Sequence, residues 1–448
     1  MNVRIDKPLS RLTAEERARL LDRRPLDEPR LRSDVEAILE RVRTEGDAAL
    51  RAMARTFDGV ELDSLEVPRE RWEEALARLD PSLRADLEEA ARNIDTFHRA
   101  QIPEEIQVTV RPGVTLGRRA VPLSRVGVYA PGGRAAYPSS VLMGVVPAVT
   151  AGVETVIVCS PPGSAGTPPD EVLAAAAIGG ASRLFALGGA GAVGAMAFGT
   201  LSLPPVEAIV GPGNRFVTEA KRQVAGDVLI DSPAGPSEVL VVADEGANPL
   251  FCALELICQA EHDPDAAVAL VTTSPSLLER VRGELERETA RTPRREIVEA
   301  ALSRGGALLL ADTWEEALDF ARSYAAEHLA LFTKDPKGDM ERTQTAGTVF
   351  LGESAAVAFG DYLTGANHVL PTGGLARAFS SLSTLHFLRM YTWQEITPQG
   401  AEAMSEAVQR MATSEGLPAH AEAARARGPS PEVYPSSDPR SSGMSENG

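Results

Sequence analysis

Histidine is scarce in this 448-residue chain, which has only His98, His262, His328, His368, His386 and His420. An imidazole exchanges protons near neutral pH and binds metals through a neutral ring nitrogen, so the neighbours of each one are informative. His262 stands in LELICQAEHDPDAA, three residues after Gln259. On a helix the two share a face and form a two-ligand start for a metal site. Asp263-Pro264 ends that helix, placing His262 at the rim of a sheet, where α/β proteins bind ligands. Glu327 and His328 are adjacent, where a helical stretch meets the strand HLALFT. Neighbours on a strand point to opposite faces, so joint action needs an irregular junction; a carboxylate beside an imidazole then supplies two proton-handling groups. Asp361 and His368 fall in GESAAVAFGDYLTGANHVLPTGG, a stretch of loop character, and functional residues favour loops. Glu415 and His420 lie in TSEGLPAH, where Gly416 and Pro418 interrupt a helix.

A second pattern competes for attention. Gly189, Gly191 and Gly194 fit GxGxxG after the strand-like RLFAL, as in a dinucleotide fingerprint with a pyrophosphate over a helix N-terminus. The acidic residue expected about 20 positions on, at the end of the next strand, is missing; Glu207 opens that strand instead.

The elements that must position these residues follow from texture. Residues 1–105 are rich in Arg, Glu, Leu and Ala at helical spacing and predict a helical N-terminal region packing with the second α/β unit, with Ser33 as a helix start. From about 106 to 235, β-branched runs (RVGVYAPGG, ETVIVCSP, RLFALGG, VEAIVGPGN) alternate with Ala-rich helical stretches, and a second series (SEVLVVAD, AAVALVTTS, GALLLAD, HLALFT, GTVFLGES) occupies 236–380. This predicts an α/β fold of two tandem Rossmann-like units with parallel sheets. Residues 381–425 read as a C-terminal helical segment, and the Pro/Ser/Gly-rich 426–448 as a disordered tail. The charge-free stretches 135–153 and 184–206 contain Pro138, Pro147, Pro204 and Pro205. They read as buried strands and glycine-rich turns in preference to membrane spans. A formal charge of -18 argues against nucleic acid, since phosphate neutralisation needs clustered Lys and Arg. The three cysteines, Cys159, Cys252 and Cys258, include no CxxC pair, which fits a reducing compartment. With no apolar leader segment at the N-terminus, the expectation is a soluble, cytoplasmic protein.

Taken together, RVGVYAPGGRAAYPSSVLMGVVPAVTAGV, GPGNRFVTEAKR, DSPAGPSEVLVVAD, QAEHDPDA, YAAEHLALF, GDYLTGANHVLPTGG and SEGLPAH resemble the histidinol dehydrogenase family, in its order, over about residues 20–425. The resemblance implies two incomplete Rossmann-like units, zinc on Gln259, His262, Asp361 and His420, and Glu327 with His328 as the proton-handling pair. It further implies substrate contacts from Ser237, His368 and Glu415, alongside His328 and the zinc ligands, and NAD contacts from Tyr129 and Asn214. Gly191 departs from the family's usual Gln at a position associated with NAD. Ala326 and Ala330 also depart, without chemical consequence, and His386 takes no role.

The family oxidises L-histidinol through L-histidinal to L-histidine with two NAD in turn, in an intertwined homodimer. His420, with Glu415, is therefore expected to complete the zinc site of the partner subunit. Two other readings remain at this point: a metal-free fingerprint-type NAD dehydrogenase using Gly189, Gly191 and Gly194, and a periplasmic-type binding protein.

Overall fold

The computed structural model describes residues 2–24, 28–132, 136–233 and 235–429. They form two compact units, one from the described residues up to 102 with those of 122–389, the other from 103–121 with 390–429; the tail expected at 426–448 lies, from 430 on, outside the described residues.

In the larger unit, β1 (Ile5–Pro8) precedes α1 (Ala14–Leu21), α2 (Pro29–Glu45), α3 (Asp47–Met53), α4 (Arg69–Arg78) and α5 (Pro81–Arg99). Pro29 opens α2, because its fixed φ and missing N–H suit the first turn; Ser33 lies inside that helix and does not start it. The chain then crosses the smaller unit through β2 (Ile106–Arg111) and most of β3 (Val114–Pro122).

The first α/β series follows: β4 (Arg125–Tyr129), α6 (Pro138–Ala151), β5 (Thr155–Ser160), α7 (Asp170–Gly179), β6 (Arg183–Ala186), α8 (Gly189–Phe198), β7 (Ala208–Val210), α9 (Arg215–Val224) and β8 (Leu229–Ile230). Its strands lie in the order β6-β5-β4-β7-β8, all parallel. This is the doubly wound order 3-2-1-4-5 without a sixth strand. The apolar run expected as strand over 135–153 is instead α6, buried almost throughout. A continuous apolar run has no period with which to separate strand from helix. Pro138 sits in the first turn of α6, and α5 and α7 pack against the helix.

The second series runs β9 (Glu238–Ala243), α10 (Pro249–Ala260), β10 (Ala267–Thr272), α11 (Pro275–Thr289), α12 (Arg295–Gly305), β11 (Gly306–Leu310), α13 (Trp314–Tyr324), β12 (His328–Phe332), α14 (Pro336–Thr343), β13 (Thr348–Leu351) and α15 (Val357–Tyr362). Its order is β1-β11-β10-β9-β12-β13, again 3-2-1-4-5 and all parallel, with the N-terminal strand β1 added beyond the third strand. Its strands are apolar and buried on both faces, as parallel sheets require. The N-terminal region is thus divided between the two sheets. β1 and α1 go with the second, α1 meeting α13, whereas α2 packs on α8 and α9, α4 on α7, and α5 on α6.

The smaller unit holds a three-stranded sheet in the order β14-β3-β2, where β14 (Leu388–Ile396) replaces the helical start expected after residue 380. The Trp393 ring lies where a Cβ on Gly117 would be, 2.1 Å from its Cε2, so glycine there lets the two strands' faces close. Helices α16 (Pro398–Ser414) and α17 (Pro418–Arg425) follow and pack on each other. Among the described residues no helix is long and apolar enough to cross a membrane.

Candidate active site

The chemistry collects at the amino ends of two neighbouring strands, β9 and β12. Their first residues are Glu238 and His328, and β9 and β12 are the strands between which the order reverses. Ligands of doubly wound sheets usually gather at the carboxyl ends; here the expected rim is replaced by the opposite one. At the end of α13, Ala325 takes a left-handed conformation, φ 51°, uncommon for a residue with a Cβ. The irregular segment that follows lets both Glu327 and His328 reach Glu238. The Glu327 Oε2 accepts the Glu238 N–H at 2.7 Å, and the His328 Nδ1–H donates to the Glu238 carbonyl oxygen at 2.9 Å. Glu327 Oε2 and His328 Nδ1 are 3.5 Å apart.

Across from His328 stands Asp361 on α15, its Oδ1 3.7 Å from His328 Nε2. His368 donates from Nδ1 to the Asp361 carbonyl oxygen at 2.9 Å, so its Nε2 accepts from the Ser140 hydroxyl at 3.3 Å. A cavity of about 230 Å³ is lined by His328, Phe350, Asp361, Asn367 and His368. Buried His98 braces this wall. Its Nδ1–H donates to the Ile94 carbonyl at 2.8 Å, leaving Nε2 to accept from Asn367, which also donates to the Met143 carbonyl.

Helix α10 supplies a further edge. Glu255, Gln259 and His262 recur at the helical repeat, the last just past the helix end, with the His262 N–H donating to the Gln259 carbonyl. Buried Glu255 accepts the Val357 N–H at 3.1 Å, fixing the start of the helix that carries Asp361. Gln259 is 1% exposed, and its amide nitrogen has no hydrogen-bond partner; neither does His328 Nε2. Buried polar atoms are nearly always paired, so the two orphans, one of them 3.7 Å from Asp361 Oδ1, mark a place for a ligand.

Burial drives the imidazoles of His262 and His368 below the ordinary histidine range, leaving neutral nitrogens with lone pairs to offer. Burial alone would raise the Asp361 carboxyl, but His328 beside it outweighs that and holds it low. Glu327 is raised by burial, against the pull of His328 and the Glu238 N–H. For His328 burial opposes the charge, yet Glu327 and Asp361 prevail and lift it well above its ordinary value.

Of the expected zinc ligands, Gln259, His262 and Asp361 belong to the larger unit, while His420 belongs to the smaller one. Among the described residues no three His, Cys, Asp or Glu side chains form a ready-made metal cage; one of the three donors on the larger unit is an amide. The set nonetheless suits a divalent ion, offering the Gln259 amide oxygen, a neutral imidazole and an ionised carboxylate. Ser237 immediately precedes β9. Glu415 caps the end of α16 and His420 stands in the first turn of α17, both exposed.

The expected cofactor residues lie at the first sheet. Tyr129 ends β4, and Asn214 follows β7, the strand paired with it across the reversal of strand order. The Asn214 Oδ1 accepts the Phe216 and Val217 N–H groups as the N-cap of α9. A Cβ on Gly211 (φ 111°) would lie 2.1 Å from the Tyr129 carbonyl oxygen, so only glycine allows these turns to meet. The Tyr129 hydroxyl accepts the Gly189 N–H at 3.1 Å. Gly191 departs from expectation: it is buried, and its Cβ direction leads to Met53 Sδ at 2.8 Å, while that of Gly194 leads to Leu39 and Val42. These glycines admit α2 and α3 against α8. The GxGxxG pattern also follows the third strand, not the first, where a fingerprint belongs.

Sequence reasoning missed Arg23, Ser140, Glu238, Glu255 and Asn367. The one available signal was the charge of Glu238 and Glu255 inside apolar runs, since a buried carboxylate needs a partner.

The histidinol dehydrogenase profile matches residues 21–428. Histidinol dehydrogenase of Methanosarcina mazei is 49% identical over 394 residues, 88% of this chain and 91% of the relative. That of Methanothermobacter thermautotrophicus is 48% identical over 408 residues, 91% and 96% of the two chains. The crystal structure of histidinol dehydrogenase from Elizabethkingia anophelis superposes with a TM-score of 0.90 at 34% identity, covering 95% of this chain and 98% of that one. A family profile spanning nearly the whole chain, close relatives of matching length and a shared fold lead to one conclusion: this chain belongs to the histidinol dehydrogenase family.

Proposed function

We propose that this chain oxidises L-histidinol through L-histidinal to L-histidine, using zinc and two NAD in turn, as the last steps of histidine biosynthesis. The observation that carries the reading is the convergence of His328, Asp361 and His368 on one small cavity, with Glu327 Oε2 3.5 Å behind the His328 ring. Gln259, His262 and Asp361 would hold zinc with His420 of the partner subunit. Bound there, zinc supplies a Lewis-acid anchor for the substrate's amine and imidazole and offsets the Asp361 charge that holds the His328 proton. Tyr129 and Asn214 would bind NAD, which accepts the hydride.

The chain's own groups then divide the proton work. His328 keeps its Nδ1 proton on the Glu238 carbonyl, so Nε2 takes the hydroxyl proton of the alcohol as hydride leaves the same carbon. The aldehyde has no hydride to give until it is hydrated. Glu327, raised by burial and next to His328, takes a proton from the water that adds to it. Ser237, His368 and Glu415 of the partner subunit would orient the substrate; the Ser140 hydroxyl and the Asp361 carbonyl fix the His368 ring. The dimer reading is supported by Phe359, Tyr362 and Leu363, large apolar residues left exposed around Asp361, since such patches mark interaction surfaces.

Zinc content per chain, measured with NADH yield on histidinol, tests the whole. The expected result is bound zinc, two NADH per histidinol, loss of activity on chelation and recovery with zinc. Full turnover by demonstrably metal-free protein would overturn the zinc assignment, and no NADH from histidinol would overturn the activity.

A further inference from the structure

Behind Glu327 and His328 lies a charged pair to which no role has been assigned. Arg23 and Glu238 form a two-pronged bridge, Nε to Oε1 at 2.9 Å and Nη2 to Oε2 at 2.8 Å, with side chains 8% and 3% exposed. Arg23 is further held by the Leu20 and Tyr324 carbonyls and lies 3.5 Å from the centre of the Tyr324 ring. Glu238 Oε1 also accepts the Gly373 N–H at 2.8 Å. The side chain of Glu238 is therefore fixed by the segment after α1 and the loop after His368, and the end of α13 holds Arg23 in turn. Its main chain does something different. The same residue's N–H holds the Glu327 carboxylate, and its carbonyl holds the His328 ring. One peptide segment thus sets the position of both proton-handling groups, and a buried guanidinium sets that segment.

We propose that Arg23 and Glu238 are positioning residues for the Glu327–His328 pair, acting through the main chain of Glu238. The proposal rests on the reading of those two residues as the proton-handling groups. A two-pronged arginine bridge fixes orientation as well as distance, which a lysine cannot reproduce. A shift of Glu238 would displace the Glu327 oxygen and the His328 ring together, without touching Gln259 or His262. Misplacement by about an ångström away from the reacting atoms is enough to slow a reaction by around 100-fold.

The test uses the zinc-loaded, full-length protein. Arg23→Ala strands a buried carboxylate and risks losing the fold, so the informative variants are Glu238→Gln, which keeps the shape, and Arg23→Lys, which keeps the charge. Each is assayed per bound zinc on histidinol and on supplied histidinal. The expected result is a kcat lowered by roughly 10- to 100-fold on both substrates, with KM for histidinol and zinc content unchanged. A kcat per zinc-loaded site equal to that of the parent, or a loss confined to KM or to thermal stability, would overturn the proposal. Failure of the underlying reading is separately visible, because the parent protein itself would then yield no NADH from histidinol.

Discussion

His328 Nδ1 lies 2.9 Å from the carbonyl oxygen of Glu238. A carbonyl only accepts, so Nδ1 carries a proton, and Nε2, 3.7 Å from Asp361 Oδ1, is the nitrogen left to exchange one with the substrate. Replacing His328 with Ala is expected to slow both oxidations by on the order of 10²–10⁴-fold, as for other proton-transfer residues. Single-turnover rates on histidinol and on histidinal check this; a variant within a few-fold of the parent would remove His328 from the chemistry.

Glu327 should separate the two half-reactions. Its Oε2 accepts the Glu238 N–H, and an amide oxygen accepts equally well, so Glu327→Gln keeps the geometry and removes the base. Oxidation of supplied histidinal is expected to suffer more than oxidation of histidinol. Equal losses on both would show that the division of labour between Glu327 and His328 is wrong.

Gly191 offers a packing test. A side chain there meets Met53 Sδ at 2.8 Å, and overpacking a close-packed interior typically costs about 1–3 kcal/mol. Gly191→Gln alone is expected to lower the urea midpoint, and Met53→Ala in the same chain to restore part of it. If the restored side chain then reaches the cofactor, the double variant has a lower KM for NAD than Met53→Ala alone, at similar kcat. A single variant as stable as the parent would contradict the packing account.

His98, behind the cavity wall, gives a pH signature of its own. Burial holds its folded-state pKa below 6.5, against the pull of the Ile94 and Leu382 carbonyls and of Asp95. The unfolded chain therefore binds a proton that the folded one resists. The penalty is absent above the unfolded value and grows as pH falls below it, by at most about 1.4 kcal/mol per pH unit, until the folded pKa is reached. The stability of the parent relative to His98→Gln should be constant above about pH 7 and fall as pH drops below about 6.5, the ordinary histidine value. Urea midpoints across that range decide it; a difference independent of pH would mean that folding leaves the His98 proton affinity unshifted.

Hybrid dimers address the smaller unit. His420→Ala and Asp361→Ala are each expected to be inactive alone. If His420 serves the partner subunit's site, a hybrid dimer gathers both defects in one site and leaves the other intact, so activity returns. Verified hybrids that stay inactive would end the shared-site proposal and leave the ligand assignment standing.

Much of the architecture was already written in local pattern. The runs VEAIV, SEVLVV and HLALF read as strands from β-branched and apolar content bounded by Gly and Pro, and the six histidines drew attention by scarcity. The resemblance supplied roles for Gln259, His262, Glu327 and Asp361 because motifs survive in linear order. Strand order was beyond local pattern. That β1 adds to the far edge of the second sheet, and that β14 is a strand, depend on partners about 300 and 270 residues away along the chain. The buried run 135–153 is a helix because neighbouring helices cover it, something periodicity cannot express. The same holds at the site. Arg23 and Glu238 are 215 positions apart, and Ser140 and His368 are 228 apart. A hydrogen bond is directional over about 3 Å, so these pairings exist only once two sheets have brought their strand ends and loops together.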